Sequence, residues 1–168
     1  MKYIIKNKIF SLGAASTVKD EAGNDLFFVK GTFFSFTRKK IIQDLQGKDL
    51  FIVRNKFLFF LLPKIFICTP DNQPIMMLKK RDAFSFRASF DLEPMNGYQG
   101  NFRIDGDFIA RNYDIYESGQ AVAHVRKNFN LIKDSFWLET ERADLAPLLI
   151  AFVIGVDNFI DRLQSDNR

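Results

Sequence analysis

Near its C-terminus the chain reads Leu148-Leu149-Ile150-Ala151-Phe152-Val153-Ile154-Gly155-Val156, without one polar side chain. A helix formed by these residues is apolar on every side, so it must be surrounded by protein or lipid. Asp144 stands before it as a candidate N-cap, and Pro147 falls in the first turn, where a missing N–H costs nothing. Beyond Asp157 amphipathicity returns, with Phe159, Ile160 and Leu163 set against Asp161, Arg162 and Gln164. The pattern predicts a helix over about 145–164, roughly 30 Å long at 1.5 Å per residue. Its apolar run, Leu145 to Val156, spans 12 residues. That is too short to cross a bilayer and suits a buried core helix, with Gly155 admitting a strand or a bulky Phe at close range.

What encloses this helix is read upstream. From Lys2 to about Glu141, short apolar segments alternate with turn signals: Glu21-Ala22-Gly23-Asn24, Gln46-Gly47, Pro70-Asp71-Asn72, Met95-Asn96-Gly97, Asp105-Gly106 and Ser118-Gly119. This rhythm is that of an all-β sandwich or barrel. Alternation puts Phe84, Phe86, Ala88 and Phe90 on one face of a strand, and sets Phe136 and Leu138 against Trp137 and Glu139. About a dozen strands precede the helix. The arrangement that buries it best is a sheet wrapped around it.

A repeat runs through these strands. Asp20-Glu21-Ala22-Gly23-Asn24-Asp25-Leu26-Phe27-Phe28-Val29-Lys30 matches Asp44-Leu45-Gln46-Gly47-Lys48-Asp49-Leu50-Phe51-Ile52-Val53-Arg54. Gly47, Val53, Arg54 and Phe57 recur as Gly119, Val125, Arg126 and Phe129, and Asp71 to Lys79 is a weaker copy. Asp opens a turn by accepting from nearby backbone N–H groups, and Gly supplies the positive φ. A strand follows, and a basic residue ends it near solvent. Turn chemistry of this kind points to structure before function.

Composition narrows the function. The chain has 168 residues, enough for one domain with a core of its own, and 20 of them are Phe. One domain over 1–168 is expected, with strands over about 2–141. A single Cys (Cys68) and a single His (His124) exclude a disulfide framework and Cys- or His-rich metal sites. No cofactor and no metal are expected. The opening Met1-Lys2-Tyr3-Ile4-Ile5 meets Lys6 and Lys8 too soon for a signal peptide, so a cytoplasmic location is expected. Net charge is +4. Residues 1–84 carry 15 Lys and Arg against 7 Asp and Glu, and residues 85–168 carry 9 against 13. The ordinary reading is that the halves fold together and the charge mixes over one surface.

With this architecture in hand, the chain resembles the LURP-one-related family in its small bacterial form. That family shares the tubby C-terminal-like fold with phospholipid scramblases. Tyr3 to Gly13 resembles the family's opening, and the two Asp-x-x-Gly hairpins resemble its repeated ones. Phe102-Arg103-Ile104-Asp105-Gly106-Asp107-Phe108 is similar to its Ile-x-Gly-Asp/Asn-Phe element, and Ala121 to Lys127 to its Ile-Ala-x-Val-x-Lys strand. The closing apolar segment with Asp157 resembles its final helix. The resemblance implies a closed barrel of about twelve antiparallel strands around a C-terminal hydrophobic helix. It implies no single activity: tubby-like relatives bind phosphoinositides, scramblases act at membranes with calcium, and plant members are linked to defence.

No catalytic set is visible in the residues. There is no Gly-x-Ser-x-Gly elbow, P-loop or Gly-x-Gly-x-x-Gly. His124 reads as a satisfied strand histidine and Cys68 as a small buried hydrophobe. Asp105-Gly106-Asp107 lacks the further oxygens of a calcium loop and reads as a turn with solvated or N–H-bonded carboxylates. Asp157 and Asp161 share a helix face and either cap a barrel mouth or meet Arg162 and solvent, the second being favoured. Two basic clusters remain, Arg38-Lys39-Lys40 and Lys79-Lys80-Arg81. Either they protect sheet edges from pairing, or they form one patch for an anionic membrane surface. The reading is a non-enzymatic barrel module for anionic lipid headgroups or a protein partner. The alternatives are an interaction domain without a small ligand and, further off, an enzyme with a polar cavity near His124 or Asp107. Nucleic acid is not expected, since no stacking platform separates from the core Phe.

Overall fold

The computed structural model describes residues 1–6, 16–32, 39–56, 64–81, 87–108, 110–127 and 135–165. Among these, twelve strands precede one long helix. The first six are β1 (Lys2–Lys6), β2 (Ser16–Lys19), β3 (Asp25–Gly31), β4 (Lys40–Gln43), β5 (Asp49–Lys56) and β6 (Lys64–Cys68). The others are β7 (Pro74–Lys80), β8 (Arg87–Pro94), β9 (Phe102–Asp107), β10 (Asn112–Glu117), β11 (Gln120–Lys127) and β12 (Ser135–Glu139). Each strand pairs antiparallel with its sequence neighbours, and β12 pairs with β1 to close the barrel. Helix α1 (Ala146–Ser165) runs through it, and every residue from Leu148 to Ile160 is buried.

The repeat explains the wall. Asp20 N–H donates to the Asn24 carbonyl and Gly23 N–H to the Asp20 carbonyl; Asp44, Gly47 and Lys48 reproduce both bonds. The carboxylates brace the turns, Asp20 accepting from Asn24 N–H and Asp44 from Gln46 and Lys48 N–H. Gly23 and Gly47 take φ of 88° and 82°, the region open to glycine at no cost. The weak copy folds alike, with Thr69 in the place of Asp and Asn72 (φ 67°) in the place of Gly. Val29, Val53, Leu78 and Val125 then point inward and are buried. The next residues, Lys30, Arg54, Lys79 and Arg126, point outward because successive side chains alternate across a strand.

An up-and-down barrel puts alternate connections at opposite ends. The turns after β2, β4, β6, β8 and β10 lie at one end, here the hairpin end, beside Met1 and Thr140, whose backbones exchange two hydrogen bonds. The helix enters there and reaches the far end near Asp157. Predicted alternation holds where it is described: Phe90 and Leu138 are buried, Trp137 is half-buried and Glu139 exposed. Phe84 and Phe86 lie outside the described residues. Inside, Phe90 meets Phe108 and Phe159 edge-on at 4.7 and 5.0 Å, and Phe102 meets Phe152 at 5.1 Å. Ile and Val nevertheless supply about half of the described core. Ten of the 20 Phe fall in segments 7–15, 33–38, 57–63, 82–86 and 128–134, outside the described residues.

Two local expectations are corrected. Asp144 does not cap the helix: a 3-10 turn, Ala143–Leu145, comes first, and the Asp144 carboxylate is held by Arg142 at 2.8 and 3.0 Å. Asp105-Gly106 is no turn either, since both residues lie within β9, opposite Asp114 and Tyr113. Gly106 (φ 146°) is required by closeness: a Cβ there would stand 2.6 Å from the Asn112 carbonyl oxygen and from Tyr113 Cα. A Cβ on Gly155 would meet only Ile65 at 3.4 Å, Ile67 at 3.7 Å and Leu78 at 3.8 Å, ordinary contact distances. The approach of β6 and β7 therefore does not require glycine at 155, contrary to what its place in the apolar run suggested. Gly106→Ala is expected to cost about 1–3 kcal/mol or more, because backbone atoms must move. Gly155→Ala is expected to be neutral or to stabilise by up to about 1 kcal/mol through helix propensity. Urea unfolding midpoints of the two variants check both signs.

Candidate functional site

The barrel lumen is filled by α1, so chemistry has to be sought on the wall and at the ends. The described members of the two basic clusters belong to the far end. Arg38 lies outside the described residues, while Lys40 opens β4 there just after Lys39, and Lys79 and Lys80 close β7 there just before Arg81. Lys40 is buried, at 5% exposure. Lys79 pairs with Glu93 at 2.8 Å, and Arg81 grips both carboxylate oxygens of Asp91 at 2.9 and 3.0 Å. These partners, by hydrogen bond first and charge second, raise the pKa of both cations. Lys39 and Lys80 have no acidic partner among the described residues. Edge protection does not account for them, because a closed barrel has no edge strand.

Sorting by barrel end shows what sorting by sequence half concealed. Asp20, Glu21, Asp44, Asp71, Glu117, Glu141 and Asp144 sit at the hairpin end. The far end carries Lys30, Lys56, Lys64 and Lys80 on β3, β5, β6 and β7, and Lys39 just before β4. The charge does not mix over one surface, as composition alone suggested. It is polarised along the barrel axis.

On the outer wall of β8 to β11 lies a polar groove of about 700 Å³, lined by Ser89, Arg103, Asp105, Asp107, Asp114 and Arg126 among others. His124 stands directly across from Asp114, its Nδ1 2.8 Å from Asp114 Oδ1. Arg126 donates to the same oxygen at 2.8 Å and to the Tyr113 carbonyl at 3.0 Å. Partial burial pushes the Asp114 carboxyl up, but the hydrogen bonds from His124 and Arg126 outweigh it and hold it below the usual range. Arg103 pairs with Asp105, and Asp107 accepts from Ala110 N–H at 2.9 Å. His124 is thus the satisfied strand histidine expected, and the Asp107 carboxylate is N–H-bonded. Among the described residues no three His, Cys, Asp or Glu converge as a metal site. Cys68 is fully buried beside Ile52 and Phe66, and burial pushes its thiol up, away from the reactive thiolate.

Because the folded pKa of Asp114 lies below its unfolded value, its contribution is present above about pH 4 and fades as pH falls through the folded value. For so exposed a group it amounts to under about 1 kcal/mol. Urea midpoints of wild type and Asp114→Asn should differ at neutral pH and converge by about pH 2. A gap that persists in acid would assign the effect to packing.

Asp157 departs from the solvent reading. It is 1% exposed and pairs with Arg111, from the turn between β9 and β10. It therefore closes the barrel mouth instead of meeting Arg162 and water. Sequence could not show this, because Arg111 lies 46 residues upstream and no local spacing links the two. Arg111→Ala is expected to cost about 3–5 kcal/mol by leaving Asp157 buried and unpaired. The double replacement Arg111→Met with Asp157→Leu should cost less, which denaturation of both variants tests.

The geometry defines a class: an up-and-down antiparallel barrel filled by its own C-terminal helix. The chain belongs to the LURP-one-related family, whose model matches residues 1–157. No curated protein matches it. An X-ray structure of a protein from Arabidopsis thaliana shares the fold, with TM-score 0.60 and 19% identity over 93% of this chain and 90% of that one.

Proposed function

We propose that the protein is a cytoplasmic, non-catalytic binding module. It engages an anionic partner, either lipid headgroups or an acidic protein surface, through Arg38, Lys39, Lys40, Lys79, Lys80 and Arg81. The observation that supports this is the topology, in which the described members of both clusters fall at one end of a closed barrel where edge protection has no purpose. Lys39 and Lys80 are the members without an acidic partner among the described residues. Lys40 is buried, and the acids of β8 balance Lys79 and Arg81. The core helix is long and apolar enough to cross a membrane by composition, yet 78% of that window is buried in the barrel, so it supports a core role over an anchor.

Co-sedimentation with vesicles of equal parts phosphatidylserine and phosphatidylcholine tests the lipid form. Wild type should bind at low salt and bind more weakly at physiological salt, because exposed charges are screened. Lys39→Glu with Lys80→Glu should remove the binding. No binding by wild type at low salt would retire lipid as the partner.

A second reading has its own observation. The groove on β8 to β11, beside His124, is the polar cavity that a small-molecule site requires. Against it, its charged side chains are already paired with one another.

A further inference from the structure

We infer that the outer wall of β4 to β7 is a docking face for a polypeptide partner that presents apolar and acidic side chains together. This deepens the reading above and rests on it, taking an acidic protein in preference to lipid and adding a face of the wall that neither cluster contains. The wall has two unlike halves. β4, β6 and β7 contain no Asp or Glu, and β5 has one, Asp49 at its start, which accepts from Gln43 Nε2. β8, β9 and β10 carry two each.

On the acid-free half the outward positions are apolar. Val53, Ile65 and Ile67 face the core, so their strand neighbours Ile52, Phe66 and Cys68 point outward. These three form an apolar cluster apart from the core, with Ile41, Met77 and Met95 half-buried around it. Water-facing positions of an antiparallel sheet ordinarily alternate to polar side chains, and here they do not. Two polar atoms on the same half are left without partners. The Arg54 guanidinium lies 5.4 Å from the centre of the Phe66 ring with its Nε buried and unpartnered. Gln43, 7% exposed and two residues along β4 from Ile41, has a buried Oε1 that accepts from nothing. Orphaned groups of this kind cost free energy until a partner meets them.

Charge and shape name the occupant. Lys30 stands across from Ile41, and Lys56 and Lys64 stand across from each other one step beyond Arg54 and Phe66. Arg54 and these three lysines have no acidic partner among the described residues, so the apolar strip has a basic margin that calls for carboxylates. A cation held over an aromatic ring is a strong place for one. The apolar side chains are also recessed: Ile52, Phe66 and Cys68 are 2%, 8% and 0% exposed. Residues set so low on a convex wall do not reach into the acyl region of a bilayer. A polypeptide brings its own side chains down to them, and the flexible Met77 and Met95 adapt to its shape.

Fluorescence anisotropy tests this with a synthetic helical peptide of about 18 residues, Leu on one face and Glu on the other, beside a scrambled peptide of the same composition. The patterned peptide should bind about tenfold more tightly than the scrambled one. Arg54→Gln and Met77→Gln should each weaken it about fivefold, and Lys48→Gln, which removes a charge at the hairpin end, should bind as wild type does. In wild type, bound peptide should slow peroxide oxidation of Met77 and Met95 and leave Met1, 59% exposed at the hairpin end, unprotected. That footprint depends on no variant folding. Equal binding of the two peptides, or a footprint that spares Met77 and Met95, would overturn the docking face. If the vesicles above are still bound, and released by Lys39→Glu with Lys80→Glu, the anionic reading survives that failure. If neither peptide nor vesicles bind, both readings fall.

Discussion

Everything in this protein answers to one constraint: a helix with no polar face has to be kept from water. An ordinary amphipathic helix would rest on one side of a sheet, but α1 leaves no side for solvent between Leu148 and Ile160. A closed wall satisfies that requirement, and closure also leaves no strand edge with unpaired backbone groups. The one charge in the buried part of the helix, Asp157, comes at the end of its apolar run and is met by Arg111. Placed mid-helix, the same carboxylate would have had no cation within reach. At the mouth it fixes how deep the helix sits.

The repeated hairpin does a second job that follows from its direction. β3, β5, β7 and β11 all run from the hairpin end to the far end, each opened by a tight turn and each carrying a basic residue toward its close. In β3 and β5 an Asp opens the turn. The inward Val or Leu serves the core while the outward Lys or Arg serves the surface. Repetition of a structural unit therefore produces an axial charge pattern. No separate feature of the sequence is needed to polarise the barrel.

Much of this was legible in the sequence because it depends on local pattern. The apolar run told of an enclosed helix, and the turn rhythm with Val–basic alternation told of the wall. Asp105-Gly106 misled because glycine answers two needs alike, positive φ in a turn and close approach in a strand, and only the Tyr113 backbone opposite tells them apart. Asp144 misled because an N-cap and a 3-10 turn begin with the same residue types. The charge pattern was hidden for a different reason. Summing by sequence halves cuts across the strands, while the quantity that matters runs along them.

Function, too, is constrained by the filled lumen. A barrel that spends its interior on its own helix offers a ligand little room among the described residues there, which leaves the wall and the two ends. Along the wall of β8 to β12 and β1 many described charges are paired: Arg103 with Asp105, Arg126 and His124 with Asp114, Lys2 with Glu21 and Glu139. Such pairs satisfy one another and leave little field for an outside molecule. At the far end Lys30, Lys39, Lys56, Lys64 and Lys80 have no acidic partner among the described residues, and the closed sheet needs none of them for its own protection. A surface that bears electrostatic strain without structural return is where selection by a partner is to be sought.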